Sequence, residues 1–129
     1  MTQQTLLTAT LQISPAAAAQ ELLKRRNARR SLLGFTEYTT PLWQAGKIHR
    51  EICVQLERVV RKEVDRLMLL CPPQHGKSQI ASRRLGAYML GLDPTEDIIS
   101  ASATETLAEG FGRDLRNVIA SREYANIFP

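Results

Sequence analysis

The chain has 129 residues, 43% of them hydrophobic, which is enough for one core and too little for two catalytic domains. Two cysteines, Cys53 and Cys71, exclude a disulfide framework and a cysteine-rich zinc module. No apolar run reaches the roughly 20 residues that cross a bilayer and no signal peptide opens the chain, so a soluble protein inside the cell is expected. Lys and Arg number 17 against 13 Asp and Glu, a formal charge of +4 that is compatible with a polyanionic partner without requiring one.

In chain order, residues 1–13 are polar, rich in Thr and Gln, and lack a sustained period, as expected of a frayed arm. Ser14-Pro15 reads as an N-cap followed by proline at the first helical position, so a helix is predicted from Pro15 to about Leu32, with Gly34 ending it. It carries the basic run "KRRNARR", in which Arg25, Arg26, Arg29 and Arg30 are the candidate DNA contacts; a solvated basic face is the plain alternative. "FTEYTTPLW" is β-branched and aromatic, and is predicted to be extended. Ile48, Ile52, Leu56, Val59 and Val60 recur at helical spacing and predict an amphipathic helix from about Lys47 to Lys62.

"RLMLLC" (66–71) is a short apolar run of the kind buried on both faces of a parallel sheet. After "PPQHGKS", Ala81, Leu85, Tyr88 and Leu92 line a helix beginning near Lys77 and ending at Gly91 and "LDPTED". "DIISASA" (97–103) reads as a second buried strand. Ser102 to Glu105 has the form of a capping box for a helix striped by Leu107, Ala108, Phe111, Leu115, Val118 and Ile119. The order strand, loop, helix, strand, helix predicts an α/β fold: a P-loop NTPase-type three-layer arrangement with parallel strands, incomplete, preceded by N-terminal helices. Residues 1–33 are expected to form the arm and basic helix, and residues 34–129 a partial P-loop ATPase domain holding only its Walker A half.

The loop "CPPQHGKSQ" ends like the phosphate-binding pattern G-x-x-x-x-G-K-[ST] but begins with Cys71 where that pattern has glycine. Pro72 and Pro73 fix φ near about −65° and hold the preceding residues extended, so the chain can leave the strand without a glycine at Cys71. The prolines carry no N–H, and the donors for a phosphate fall to Gln74, His75, Gly76, Lys77 and Ser78. Gly76 permits a tight turn close to an anion, Lys77 can reach terminal phosphates, and the Ser78 hydroxyl can take a magnesium position. The plain alternative is a Pro-Pro turn with an exposed lysine at a helix start. His49 and His75 have no ligand-type companions in sequence, Trp43 reads as a core anchor, and Arg83-Arg84 reads either as lying near bound phosphate or DNA or, by default on a surface helix, as solvated.

"PPQHGKS" between "RLMLL" and "SRRLGAYMLG" resembles the ATPase half of the large subunit of tailed-phage terminases. "ARRSLLGFTEY", "HREICVQLERV", "IISASATETLAEGFGRDLRNVI" and "REYANIFP" extend the resemblance from about residue 28 to the end. That family uses ATP to drive viral DNA into a capsid, and a separate C-terminal nuclease cuts the concatemer. The resemblance implies ATP and Mg2+ as cofactors, double-stranded DNA, portal protein and terminase small subunit as partners, and the host bacterial cytoplasm as location. It puts Gln74, His75, Gly76, Lys77 and Ser78 on a deviant Walker A loop and makes Gln44 the candidate adenine contact. Some members carry arginine at the position of Gln74; glutamine donates hydrogen bonds but supplies no charge there.

Ser102-Ala103-Thr104 spells a coupling motif of helicase-like motors but sits on the first strand after the loop, where that motif does not occur. No apolar strand ending in Asp followed by Glu is present after Ile98, so no catalytic carboxylate is identifiable; Asp114 falls within a helix and Glu123 in the tail. The expected reading is an N-terminal portion of a terminase large subunit. The alternatives are a prophage remnant or basic DNA-binding module without turnover, and another, helicase-like P-loop ATPase.

Overall fold

A computed structural model describes residues 14–129. The expected arm, residues 1–13, lies outside them. Helix α1 (Pro15–Arg30) starts as its sequence dictates: the Ser14 hydroxyl accepts from the Ala17 N–H at 3.2 Å, with Pro15 opening the first turn. Its end is sharper than expected. Ser31 is extended, with φ −140° and ψ 137°, and its hydroxyl accepts from the Gly34 N–H at 2.9 Å, so one residue stops α1 and caps α2 (Leu32–Thr39).

The stretch expected to be extended from Phe35 is therefore helical as far as Thr39. Leu32, Phe35 and Thr36, at the i, i+3, i+4 spacing of one helix face, are completely buried. The hydroxyls of Thr36 and Thr39 donate to the carbonyls of Leu32 and Phe35, both at 2.8 Å, which satisfies these polar groups inside the helix. Strand propensity spans only about 1 kcal/mol, less than the burial of Leu and Phe returns. Gly34 sits inside α2 instead of ending α1: a Cβ there would stand 3.0 Å from the Asn27 carbonyl, so the small residue lets the two helices close on each other.

Helix α3 (Lys47–Val60) turns Ile52, Cys53 and Leu56 inward, and its Glu57 carboxylate accepts the Leu32 N–H at 2.7 Å. That bond supplies a partner for a donor that the start of α2 cannot satisfy internally. After the loop, the helix beginning at Lys77 is wide over Gln79–Arg84, where the Leu85 N–H reaches back five residues to the Ile80 carbonyl; it then tightens into α4 (Leu85–Leu92). This π-helical turn shifts the buried face from the expected Ala81, Leu85, Tyr88 and Leu92 to Ile80, Ala87 and Tyr88, and leaves Leu92 exposed.

Helix α5 (Glu105–Ile119) is capped by Thr104, whose hydroxyl accepts from the Leu107 N–H at 3.3 Å; Ser102 lies outside the cap. Helix α6 (Arg122–Ile127), capped by Ser121, buries Tyr124 and Ile127.

The core joins helices distant in sequence. The Phe35 ring packs 5.4 Å from Tyr88, 6.1 Å from Tyr124 and 6.0 Å from Phe128, centre to centre. The Tyr124 hydroxyl donates to the Ala87 carbonyl at 3.1 Å, which pairs the polar tip of a buried ring. Phe128 lies over Gly91, where a Cβ would come within 2.4 Å of the ring; Gly91 is thus a packing residue in the last turn of α4 and not its terminator.

The α/β expectation is overturned: the described residues form helices and no strands. "RLMLLC" and residues 97–103 run without ladder partners, and the three-layer arrangement of parallel strands does not form. A strand exists only through its neighbours, and the two apolar runs meet helices instead of each other. Leu69 and Cys71 pack against the core edge, while Met68, Leu70 and Ile99 are 79%, 86% and 93% exposed.

Candidate phosphate-binding site

The loop from Cys71 to Ser78 connects the extended run 66–71 to the wide helix. Gln74 has φ +62° and Gly76 φ +71°. Left-handed residues on both sides of His75 curl the backbone, the conformation in which successive N–H groups form an anion-binding concavity. Gly76 pays nothing for this angle, whereas Gln74 carries a cost of about 1–2 kcal/mol.

Three carbonyls of the loop are met by side chains. The Lys77 ammonium donates to the Cys71 carbonyl at 3.3 Å, folding back across the mouth of the loop. His75 Nδ1 lies 2.8 Å from the Pro73 carbonyl and His49 Nε2 lies 2.9 Å from the His75 carbonyl. A carbonyl only accepts, so both ring nitrogens donate. For His49 the tautomer is fixed twice over, because its Nδ1 accepts from the Gly46 N–H at 2.9 Å. All peptide bonds here are trans, so a carbonyl turned toward His49 sends the Gly76 N–H to the opposite side.

His49 is the residue that sequence reasoning missed. It lies in the first turn of α3, 26 positions before the carbonyl it holds, with its ring 5.1 Å from Trp43. A Cβ on Gly76 would stand 2.8 Å from His49 Nε2, so glycine at 76 is required by φ and by this contact together. The one signal available in sequence was His three residues after Gly46, where a side chain can reach back to the backbone at a helix start.

Of the expected site residues, Gln74, His75, Gly76, Lys77 and Ser78 fall together on this loop and the helix start; Lys77 is half-buried and Ser78 exposed. Lys77 and Ser78 open the helix, where backbone N–H groups lack intrahelical partners and the positive end of the dipole lies. Gln44 is exposed and belongs to the segment that His49 and Trp43 tie to the loop. Trp43 packs against the core edge, as expected of an anchor. Cys71 also packs there, while Cys53 is buried and its thiol is pushed up to about 12 by desolvation, with Glu57 and Glu37 adding repulsion.

The basic helix does not present one face. Arg25 pairs with Glu21 at 2.8 Å, and the Tyr38 hydroxyl donates to the same carboxylate, holding Glu21 below its ordinary range with Arg25 as the second cause. The Arg29 guanidinium lies 5.9 Å from the Phe128 ring centre, within cation–π reach. Arg26 and Arg30 are exposed on the neighbouring side.

Among the described residues no helix is long and apolar enough to cross a membrane. Compared with known proteins, the chain matches no family model, no curated protein and no solved structure.

Proposed function

We propose that this chain binds ATP with Mg2+ through the 71–78 loop, as the nucleotide-binding portion of a terminase large subunit that packages double-stranded DNA. The observation that carries the reading is the geometry of the loop. Two left-handed residues curl the backbone, His49 holds one carbonyl away from the curl, and Lys77 lies across its mouth at the start of a helix. A phosphate chain supplies charge that such a curl of N–H groups accommodates. Lys77 would exchange the Cys71 carbonyl for a phosphate oxygen, and the Ser78 hydroxyl would hold Mg2+ beside it. Gln44 would contact the adenine, and the portal protein and small subunit would be the partners, in the host bacterial cytoplasm.

The test is binding, since hydrolysis needs an Asp-Glu pair that these residues do not identify. Titrating a fluorescent ATP analogue into wild type should give saturable, Mg2+-dependent binding. Lys77→Ala should weaken it about tenfold or more, in line with the loss of a charge-assisted bond. Equal affinity for both proteins, with the helical circular-dichroism spectrum intact, would sink the reading.

A further inference from the structure

The pair Arg83-Arg84, assigned by default to solvent, is built into the fold. Arg84 is half-buried at the end of the wide turn, where its Nε donates to the Thr40 hydroxyl at 3.1 Å and Nη2 to the Thr39 carbonyl at 3.4 Å. Both acceptors are neutral. Arg83 Nη1 donates to the Gln79 side-chain carbonyl at 3.0 Å, and Arg83 Nε stands 2.7 Å from Asp114 Oδ2 without the alignment of a hydrogen bond. One carboxylate therefore faces two guanidinium groups. Desolvation and repulsion from Arg83 lower the Arg84 pKa, and Asp114 opposes them only in part.

These groups line an open, mainly polar cleft of about 370 Å³ between the end of α2, the wide turn and α5, with Asn117 and Ser121 on its far wall. Five N–H bonds on each guanidinium exceed the protein acceptors that meet them, so donors remain for a guest. A planar fork with spare donors beside a second guanidinium matches a tetrahedral oxyanion, and the surplus charge of the cleft is positive.

We propose that this cleft is a second anion site, separate from the 71–78 loop, that binds a phosphate group through Arg83 and Arg84 with the Asn117 side-chain amide as a neutral donor. The phosphate is that of a phosphomonoester or of a nucleic-acid backbone. The assignment does not depend on nucleotide binding at the loop, because none of the cleft residues belongs to it.

The test is a titration of inorganic phosphate into isotope-labelled protein at constant ionic strength, with chloride as the compensating salt, read by the arginine Nε–H and backbone amide resonances. Saturable shifts at Arg83, Arg84, Asn117 and Ser121 are expected, retained in Lys77→Ala. Affinity should fall about tenfold or more in Arg84→Gln and in Asn117→Asp. Asn117 is exposed, so its replacement sets a carboxylate in the cleft without touching the core and keeps the test decisive if Arg84→Gln loosens α2. A short DNA duplex that displaces phosphate from the Arg84 signal assigns the site to a nucleic-acid backbone; displacement by a nucleoside monophosphate alone assigns it to a small phosphomonoester. Shifts that grow linearly as with chloride, vanish in Lys77→Ala, or persist unchanged in both cleft variants would overturn the proposal.

Discussion

The aromatic cluster and the two extended runs use similar residues to opposite effect. Around Phe35, four rings from α2, α4, α6 and the C-terminal Phe128 exclude water from one another. In residues 66–71 and 97–103, Met68, Leu70 and Ile99 are as apolar yet stand largely in solvent. The difference lies in the backbone. A helix satisfies its own N–H and C=O groups and needs only one face covered, whereas an extended run needs neighbours for its backbone and both faces. The same hydrophobicity is therefore secured in one region and left open in the other.

Phe35→Ala strikes the centre of the secured region and should cost about 3–5 kcal/mol, a large part of the roughly 5–15 kcal/mol typical of a domain. Urea unfolding would read it, and a loss below about 1 kcal/mol would mean the ring cluster is not what joins the helices. Raising pH attacks the same region by charge. Burial lifts the Cys53 thiol from its ordinary 9.0 to about 12 and the Tyr88 phenol from 10.0 to about 12, so the folded state binds these protons more tightly than the unfolded chain. Their contribution is complete below about pH 9 and is lost as pH rises toward 12, on the order of 4 kcal/mol for the two together by pH 11. Cys53→Ala should flatten the early part of that decline in a pH series of denaturant melts.

The smallest effect sharpens the contrast from the other side. Leu70→Ser, at a residue 86% exposed, should change stability by no more than about 0.5 kcal/mol while reducing self-association in sedimentation velocity. A cost near about 2 kcal/mol would show that the 66–71 run is packed after all.

The legibility of the fold in the sequence depends on the range of each interaction. Ser14, the start of α3 and the helix from Glu105 are readable because caps and apolar stripes act within a turn. The α2 segment reads as extended because Thr36, Tyr38 and Thr39 have strand propensity, and only the burial of Leu32, Phe35 and Thr36 reverses it. "RLMLLC" and "DIISASA" read as strands on composition, which states what a segment could pair with and not that a neighbour is present. At the loop, spacing finds Gly76, Lys77 and Ser78. It does not find His49 or the Thr39–Thr40 anchor of Arg84, since these act across 26 and more than 40 residues.

The wide turn at Gln79–Arg84 sets the angular relation between the loop on one side of it and α4 on the other. An α-helix advances about 100° per residue, and one turn closed five residues back accommodates roughly one residue more than the regular repeat. Ile80 and the Ala87–Tyr88 pair are brought to the same core by that extra residue, and Arg84 meets Thr40 on the side. A substitution within the turn changes a side chain and leaves this phase intact. Removal of one residue, Ser82 for instance, would restore a regular helix with Lys77 and Tyr88 in nearly the same phase, whereas removal of two would swing them about 100° apart, so single and double deletions here should be tolerated very differently.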